Sequence, residues 1–365
     1  MSIRKGAATF RVATLSKVID SSYEEVLKEF CYLPEDKENE VCDLTKGGSL
    51  LGKFDKDKLS LIYGSSLFFC TRSRQYVLNS VVVKEYFNFL MDKITEELGY
   101  APKGKRKKEI KEMAEDLAKD QMLLKIKGTR IICPLNSKIM FIETSSMSKI
   151  YEIIDFLKIN VFKDMEIELV DPDTLLAKVS KNEYESILIK NKLNANGVGA
   201  DFLTYLFALS ESDQSLSESK VSIVGDLSFR CDDGLVNGPT ITKLSLGLPC
   251  CGLESNASLE EGKKVCSALF RITKDEEVYE VFVDETFAFS KFKRVLSEEE
   301  EKEKATMPPE DSFSDKILDI RSFMNNLIKL FTTFCNMPNK NEYIDNWINF
   351  RQTDLVVNVF DDDQK

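Results

Sequence analysis

The chain contains no histidine, so it lacks both the commonest metal ligand and the side chain best suited to proton transfer near neutral pH. Catalytic sites and zinc sites that depend on histidine are therefore excluded. The 9 cysteines show no C-x-x-C spacing, and several lie within apolar runs, which indicates reduced, buried side chains. We expect no catalytic residue, no bound metal and no cofactor.

Long hydrophobic runs are missing as well. The N-terminal residues lack the apolar core of a secretory signal, and no later stretch approaches the roughly 18 apolar residues of a membrane span. A glycine-rich phosphate loop is also absent, because "NANGVGAD" has neither the lysine nor the spacing of one. The sequence therefore predicts a cytoplasmic protein without membrane contact.

The composition is that of a globular protein large enough for two or three domains, with 365 residues, 43% hydrophobic and 30% charged. Its formal net charge of −11 repels phosphate on average. Any nucleic-acid site must therefore arise from a local cluster of lysine and arginine.

The first half of the chain alternates strand and helix patterns. A strand in "ATFRVATL" precedes a capped helix in "SSYEEVLKEFCYL", and a strand hairpin follows around Gly64. Helical spacing from Ser80 to Gly99 and a second helix over about 105–119 form a helical hairpin. A second strand hairpin, "TRIICPL" with "KIMFIET", leads to the helix "SSMSKIYEIIDFLKIN". This mixture predicts the α+β fold class.

The second half is less regular. The segment "GADFLTYLFALS" fits a helix or a strand pair, whereas "VSIVGDLSFR", "KKVCSALFRIT" and "VYEVFVDETFAFSKF" are typical of strands. Residues 231–262 are rich in glycine and predict a long loop or a decorated hairpin. The run "SEEEEKEKATMPPED" predicts a solvated charge run and a proline break before the helix "SDKILDIRSFMNNLIKLFTTF", and the acidic tail is expected to fray.

The clearest charge cluster is "PKGKRKKEIK", at the turn of the helical hairpin. Residues 101–130 hold ten basic and five acidic side chains. A solvated helix face would explain the cluster, but positive charge at a helix N-terminus opposes the helix dipole, which favours an external anion such as phosphate. A second candidate, "FSKFKRV", fits either a strand with inward phenylalanines or a strand whose outward cations contact phosphate.

Two acidic segments invite comparison with a metal-dependent nuclease. One is "MEIELVDPD" and the other "FVDET", and their carboxylates are Glu166, Glu168, Asp171, Asp173, Asp284 and Glu285. The alternation in the first segment is also what a half-exposed strand produces, and neither segment adds a spaced lysine. A metal-dependent nuclease is therefore the third functional hypothesis for this sequence.

Several short sequence segments, in their order along the chain, resemble the RdgC family of recombination-associated DNA-binding proteins. The closest is "CTRSRQYVLNSVVVKEYF", in which Arg72 and Lys84 occupy family positions, and Arg11 matches an arginine in the family's first strand. The resemblance extends from about residue 4 to residue 335. It implies a centre domain, an inserted helical tip domain and a base domain, with two chains forming a ring around duplex DNA.

The resemblance assigns residues 1–79 and 123–198 to the centre domain, 80–122 to the tip, 199–335 to the base, and 336–365 to a C-terminal extension. Patterns and resemblance together imply phosphate contacts at Arg72, Lys84, Lys103, Lys105, Arg106, Lys107, Lys108, Lys111, Lys125, Lys127, Lys291, Lys293 and Arg294. They imply dimer contacts at Met122, Leu123, Arg230 and Asp232. Arg230 matches an arginine of the family, whereas the other three depart from the usual family residues.

The resulting expectation is a non-enzymatic, nucleoid-associated protein that binds duplex DNA without sequence specificity as a ring-shaped homodimer. Single-stranded DNA is a further expected partner, and competition with a RecA-type recombinase is the implied role. One alternative is a member of the same fold that docks another protein and has lost DNA binding. The acidic Asp232 and Asp233, where the family carries basic or polar residues, motivate that alternative.

Overall fold

The computed structural model describes residues 9–29, 41–42, 61–179, 187, 197–211, 219–231, 240–245, 253–274 and 276–361. At 41–42, 72–76, 123–127, 253 and 352–361 it describes the backbone alone. The predicted loop at 231–262 therefore lies partly outside the described residues.

The strands and helices predicted for the first half of the chain appear in the predicted order, and the structure adds further elements. The strands are β1 (Arg11–Ile19), β2 (Val41–Cys42), β3 (Ile62–Tyr63), β4 (Ser66–Val77), β5 (Leu123–Pro134), β6 (Ser137–Ile142), β7 (Ile167–Leu169), β8 (Ser219–Cys231), β9 (Thr240–Leu244), β10 (Lys264–Lys274), β11 (Glu277–Asp284) and β12 (Phe289–Val295). The helices are α1 (Tyr23–Glu29), α2 (Ser80–Leu98), α3 (Gly104–Leu117), α4 (Met147–Asn160), α5 (Pro172–Val179), α6 (Gly197–Glu211), α7 (Leu253–Glu260), α8 (Glu298–Thr306), α9 (Pro309–Cys335) and α10 (Lys340–Asp361). The α+β prediction is confirmed.

The chain groups into two compact units. The larger unit comprises Met1–Glu29, Leu44–Phe69 and Arg130–Lys365, and the smaller comprises Phe30–Asp43 and Cys70–Thr129. The smaller unit contains α2 and α3. The finer division into centre, tip and base domains stays a prediction.

The described strands form two antiparallel sheets. The first has the order β2-β4-β5-β6-β1-β7, with β3 paired to β4, and the second has the order β12-β11-β10-β8-β9. In the larger unit the sheets meet where Phe10 and Phe289 exchange backbone hydrogen bonds of 2.8 and 2.9 Å. One hydrophobic core follows both sheets, and α6 and α9 contribute many of its buried side chains.

Two turn residues fix the predicted strand hairpins of the first sheet. Gly64 has φ +59° between β3 and β4, and Asn136 has φ +56° between β5 and β6. Both values lie in the left-handed region that glycine and asparagine tolerate best. Ile62 then pairs with Leu67 across the first turn, as the sequence pattern predicts.

Helix α6 resolves the ambiguity of "GADFLTYLFALS". Residues 198–209 are all buried, so the helix is enclosed on every side and shows no amphipathic stripe in the sequence. Such a segment is indistinguishable from buried strands by periodicity alone.

Two helix starts depend on side-chain caps. The acidic run after β12 is solvated as predicted, and it forms helix α8, because Ser297 and Glu300 make a reciprocal capping box at its start. Asp171 lies directly before α5, where its carboxylate accepts hydrogen bonds from the Thr174 backbone N–H (2.8 Å) and hydroxyl (3.0 Å). In both segments the side chains satisfy backbone donors at a helix start.

The C-terminal extension is packed through residue 351, whereas the sequence predicts a fraying tail. In α10, Ile344 and Trp347 are buried, and the Trp347 indole donates a 2.9 Å hydrogen bond to Glu211 of α6. Arg351 also donates to Glu211 and lies 4.9 Å from the ring centroid of Phe207. Burial raises the pKa of Glu211 despite the neighbouring arginine. The extension is thus part of the larger unit's core.

None of the helices in the described ranges is long and apolar enough to cross a lipid bilayer.

Candidate nucleic-acid interface

The helical hairpin of the smaller unit has well-defined ends. The Asn79 side chain accepts a 3.1 Å hydrogen bond from the Val81 backbone N–H and so caps α2. Gly99, with φ +72°, ends α2 in the left-handed conformation and donates a 2.9 Å hydrogen bond to the Thr95 carbonyl. Both helices lie where the sequence predicts them, with α3 beginning at Gly104.

A small apolar cluster holds the two helices together. Leu90 of α2 packs against Ile110 and Ala114 of α3, and Phe87 and Met91 flank them. Ile110 and Ala114 are four residues apart and so occupy one face of α3. The charged side chains of α3 lie outside this cluster.

The start of α3 combines positive charge with free backbone donors. No side chain caps the helix at Lys103, and its first turn contains no acidic residue. Four N–H groups at a helix start have no partner within the helix, and they carry the positive end of its dipole. The exposed basic side chains at this end are Lys103, Lys105, Arg106, Lys107 and Lys108, with Lys111 one turn on. An anion placed here would meet both sets of donors.

Only part of this positive charge is neutralised within the helix. Arg106 lies 3.0 Å from Glu109, and Lys111 lies 3.5 Å from Glu115. These are exposed pairs, with the cationic side chains 62% and 66% accessible, so they hold the cations weakly. The four lysines of the cluster make no ion pair with any described residue, although the Lys107 ammonium lies 5.9 Å from the centroid of the Phe87 ring.

The predicted site residues do not include an exposed aromatic residue that lies beside this cluster. Tyr100 is 64% exposed and lines an open cavity of about 490 Å³ together with Pro102, Lys103 and Arg106. An aromatic ring next to cations is a common arrangement for stacking an unpaired base. The signal in the sequence was a tyrosine in the turn "GYAPKGK", directly before the basic run.

The smaller unit also exposes much apolar surface. Half of the fourteen large hydrophobic side chains that are exposed in the described part of the chain lie between residues 81 and 122. They are Val81, Phe89, Leu98, Tyr100, Met113, Leu117 and Met122. Met113 and Leu117 are four residues apart and so share one face of α3. Exposed apolar clusters of this kind are typical of interaction surfaces.

Comparison with known sequences identifies the family. The family model described as "Putative exonuclease, RdgC" matches residues 6–178, which include the whole helical hairpin. Residues 6–178 of the chain belong to the RdgC family. No curated protein matches the chain. The predicted resemblance between residue 179 and residue 335 lies beyond the matched region and stays a prediction.

The structure describes the side chains of only some of the other predicted contacts within the RdgC match. Lys84 is exposed on α2, and Met122, a predicted dimer contact, is 39% exposed after α3. Arg72 lies in β4, whereas Leu123, Lys125 and Lys127 lie in β5, and their side chains are outside those the structure describes. For these four residues the predicted roles remain predictions.

The predicted phosphate contacts on β12 have carboxylate partners in the larger unit. Lys291 lies 2.6 Å from Asp226, and Lys293 lies 2.7 Å from Glu280. Burial acts to raise the pKa of Glu280, but hydrogen bonds from Lys293 and Arg271 outweigh it and lower the pKa below its ordinary value. Glu280 is therefore held as an anion that competes with phosphate for Lys293.

Arg294 is the most enclosed of the three β12 cations. It lies 3.1 Å from Glu300 of α8 and 3.3 Å from Asp319 of α9. Phe289 and Phe292 of the same strand are buried, so the reading with inward phenylalanines is confirmed. A phosphate at Arg294 would have to displace two carboxylates, and contact there stays a prediction.

Arg230, another predicted dimer contact, lies near the end of β8. It is half-buried and lies 2.6 Å from Glu285. Asp232 is outside the described residues.

The carboxylates that suggested a nuclease come partly together. Asp171, Asp173 and Glu285 line one open cavity of about 410 Å³ in the larger unit. However, Asp171 caps α5 and Glu285 pairs with Arg230. Glu168 of β7 pairs with Lys178, and Glu166 precedes that strand. Within the described ranges, no three cysteine, aspartate or glutamate side chains are grouped so that they could hold a metal ion.

Proposed function

We propose that this RdgC-family chain binds duplex DNA without sequence specificity, as a homodimer that closes into a ring around the DNA. In this proposal it is not an enzyme, and it acts in the nucleoid by limiting the access of a RecA-type recombinase to DNA. Single-stranded DNA is a second ligand. The recombinase role and the ring come with the family resemblance.

The observation that supports DNA binding most directly is the uncapped start of α3. Its lysines are exposed and free of ion pairs among the described residues, in a chain whose net charge is −11. Point charges and N–H donors of this kind recognise phosphate rather than base edges. Binding independent of sequence follows from that chemistry.

Self-association is supported by the apolar surface of the same unit. Met113 and Leu117 are exposed on α3, and Met122, the predicted dimer contact, is exposed after that helix. Removing such side chains from water stabilises an interface between identical chains.

Salt dependence of duplex binding tests the proposal. We expect the logarithm of the binding constant to fall linearly with the logarithm of salt concentration, with a slope of about −0.9 for each phosphate neutralised. Four lysines of α3 alone predict about −3.6 for one chain. Fluorescence anisotropy with two unrelated duplexes of equal length provides the measurement, and the two curves should coincide.

Mass in solution is measured alongside, and a dimer should have twice the 41.6 kDa mass of the chain. A dimer that fails to bind either duplex at low salt would favour the protein-docking alternative. Binding that differs strongly between the two duplexes would contradict the absence of sequence specificity.

The family description as an exonuclease sets a second test, because Asp171 and Asp173 share a cavity with Glu285. We expect end-labelled duplex to stay intact with pure protein and Mg²⁺, since hydrogen bonds and ion pairs occupy Asp171 and Glu285. Label loss abolished by Asp171→Asn with Asp173→Asn would contradict the proposal. Loss that is unchanged in the variant would instead indicate a contaminating nuclease.

A further inference from the structure

A second open cavity, of about 350 Å³, lies in the larger unit where the ends of β8 and β10 meet α9. Ser219 and Lys274 are paired across the two strands, which places them side by side at the end of the sheet. On α9, Asn326, Lys329 and Thr333 recur at helical spacing and so share one face. Two strands and a helix thus bring polar side chains to one cavity, which apolar side chains of α9 also line.

Two lysines supply the charged hydrogen-bond donors of the cavity lining. Lys274 is half-buried and Lys329 is exposed, and neither makes an ion pair with a described residue. The hydroxyls of Thr332 and Thr333 donate to carbonyls of their own helix, at 2.8 and 3.0 Å. None of the lining residues is acidic. The charge of this lining favours an anion.

A buried amide in the same lining points independently to a ligand. Asn326 is only 3% exposed, and its Nδ2 atom has no hydrogen-bond partner among the described residues. Buried polar side chains are rarely left unpaired. A bound group that accepts hydrogen bonds would supply the partner that the fold does not.

The acidic residue opposite Lys274 is Glu277, which pairs with it across β10 and β11. Glu277 accepts hydrogen bonds from the Tyr279 hydroxyl (2.6 Å) and the Ser322 hydroxyl (3.1 Å), so its carboxylate is engaged. Glu276 is exposed, and Glu218 and Asp275 are not among the described residues.

We propose that this cavity binds a phosphate group, held between Lys274 and Lys329 with Asn326 as a neutral donor. The volume is at the low end of that of small-molecule sites and accommodates a phosphate with a small attached group. The phosphate has two possible sources, a free molecule such as a nucleoside monophosphate or the backbone of DNA. The proposal is independent of the DNA interface on α3.

Calorimetric titration of the full-length protein with inorganic phosphate and with deoxyadenosine monophosphate tests the site. The variant Lys274→Gln/Lys329→Gln should raise the dissociation constant for both probes at least about tenfold, because it removes two charge-assisted hydrogen bonds. Lys302→Gln, at an exposed lysine of α8, is the matched control and should leave both constants unchanged.

A second pair of variants separates binding from folding. Asn326→Leu keeps the side-chain size and should weaken both probes without lowering the unfolding midpoint, whereas Asn325→Leu, at the exposed neighbour, should leave binding intact. A short duplex identifies the source: loss of duplex affinity in the lysine variant indicates backbone phosphate, and unchanged duplex affinity indicates a free molecule. If inorganic phosphate, deoxyadenosine monophosphate and the duplex all bind the lysine variant with the same affinity as its control, the proposal is overturned.

Discussion

A fourfold charge reversal at the start of α3 is expected to lower the affinity for duplex DNA about 10³-fold at about 0.1 M salt. The variant carries Lys105→Glu, Arg106→Glu, Lys107→Glu and Lys108→Glu. Each neutralised phosphate contributes about eightfold at this salt concentration, so four contacts account for the effect. The salt slope should become shallower by about 3.6 units in the same titration.

The matched control reverses four exposed lysines of the larger unit that make no ion pair with a described residue. It carries Lys138→Glu, Lys163→Glu, Lys243→Glu and Lys302→Glu, and so has the same net charge. A purely global effect of net charge would weaken both variants equally. If both variants lose the same affinity for duplex DNA, α3 is not the DNA interface, even if the wild-type protein binds.

The helical hairpin could be predicted from the sequence because its signals are local. Apolar residues at helical spacing, the stop at Gly99 and the proline in the following turn determine α2 and the start of α3 without reference to the rest of the chain. Helix α6 could not be predicted with the same certainty. It is buried on all sides, so only its tertiary environment distinguishes it from a pair of strands.

The charge cluster on α3 was predictable for the same reason, since its neighbours in space are its neighbours in sequence. The β12 cations were not. Lys291 and Asp226 are separated by 65 residues, and only the pairing of the second sheet brings them together. A basic strand in the sequence therefore indicates charge but not whether that charge is available to a ligand.

The largest stability effect is expected at an ion pair between α6 and β10. Lys264 and Asp201 lie 2.6 Å apart, and both side chains are 1% exposed. Lys264→Met would leave the Asp201 carboxylate buried without its cation. The backbone N–H of Ile187, 3.1 Å from that carboxylate, compensates only in part. We expect the free energy of unfolding to fall by about 3–5 kcal/mol.

The measurement is denaturant unfolding followed by tryptophan fluorescence. The chain has one tryptophan, Trp347, which contacts α6 and so reports on the unit that contains the pair. The matched control is Lys291→Met, which breaks the Lys291–Asp226 pair at the same 2.6 Å distance but with side chains 56% and 36% exposed. Its cost should be about 1 kcal/mol or less.

A double variant distinguishes lost attraction from an uncompensated charge. Asp201→Asn combined with Lys264→Met removes both charges and keeps an oxygen that can accept from the Ile187 N–H, so it should be more stable than Lys264→Met alone. If the double variant loses as much stability as the sum of the two single variants, the pair is not coupled and the cost arises from packing. Recovery would show that burial of the unpaired carboxylate, rather than loss of the lysine side chain, destabilises the single variant.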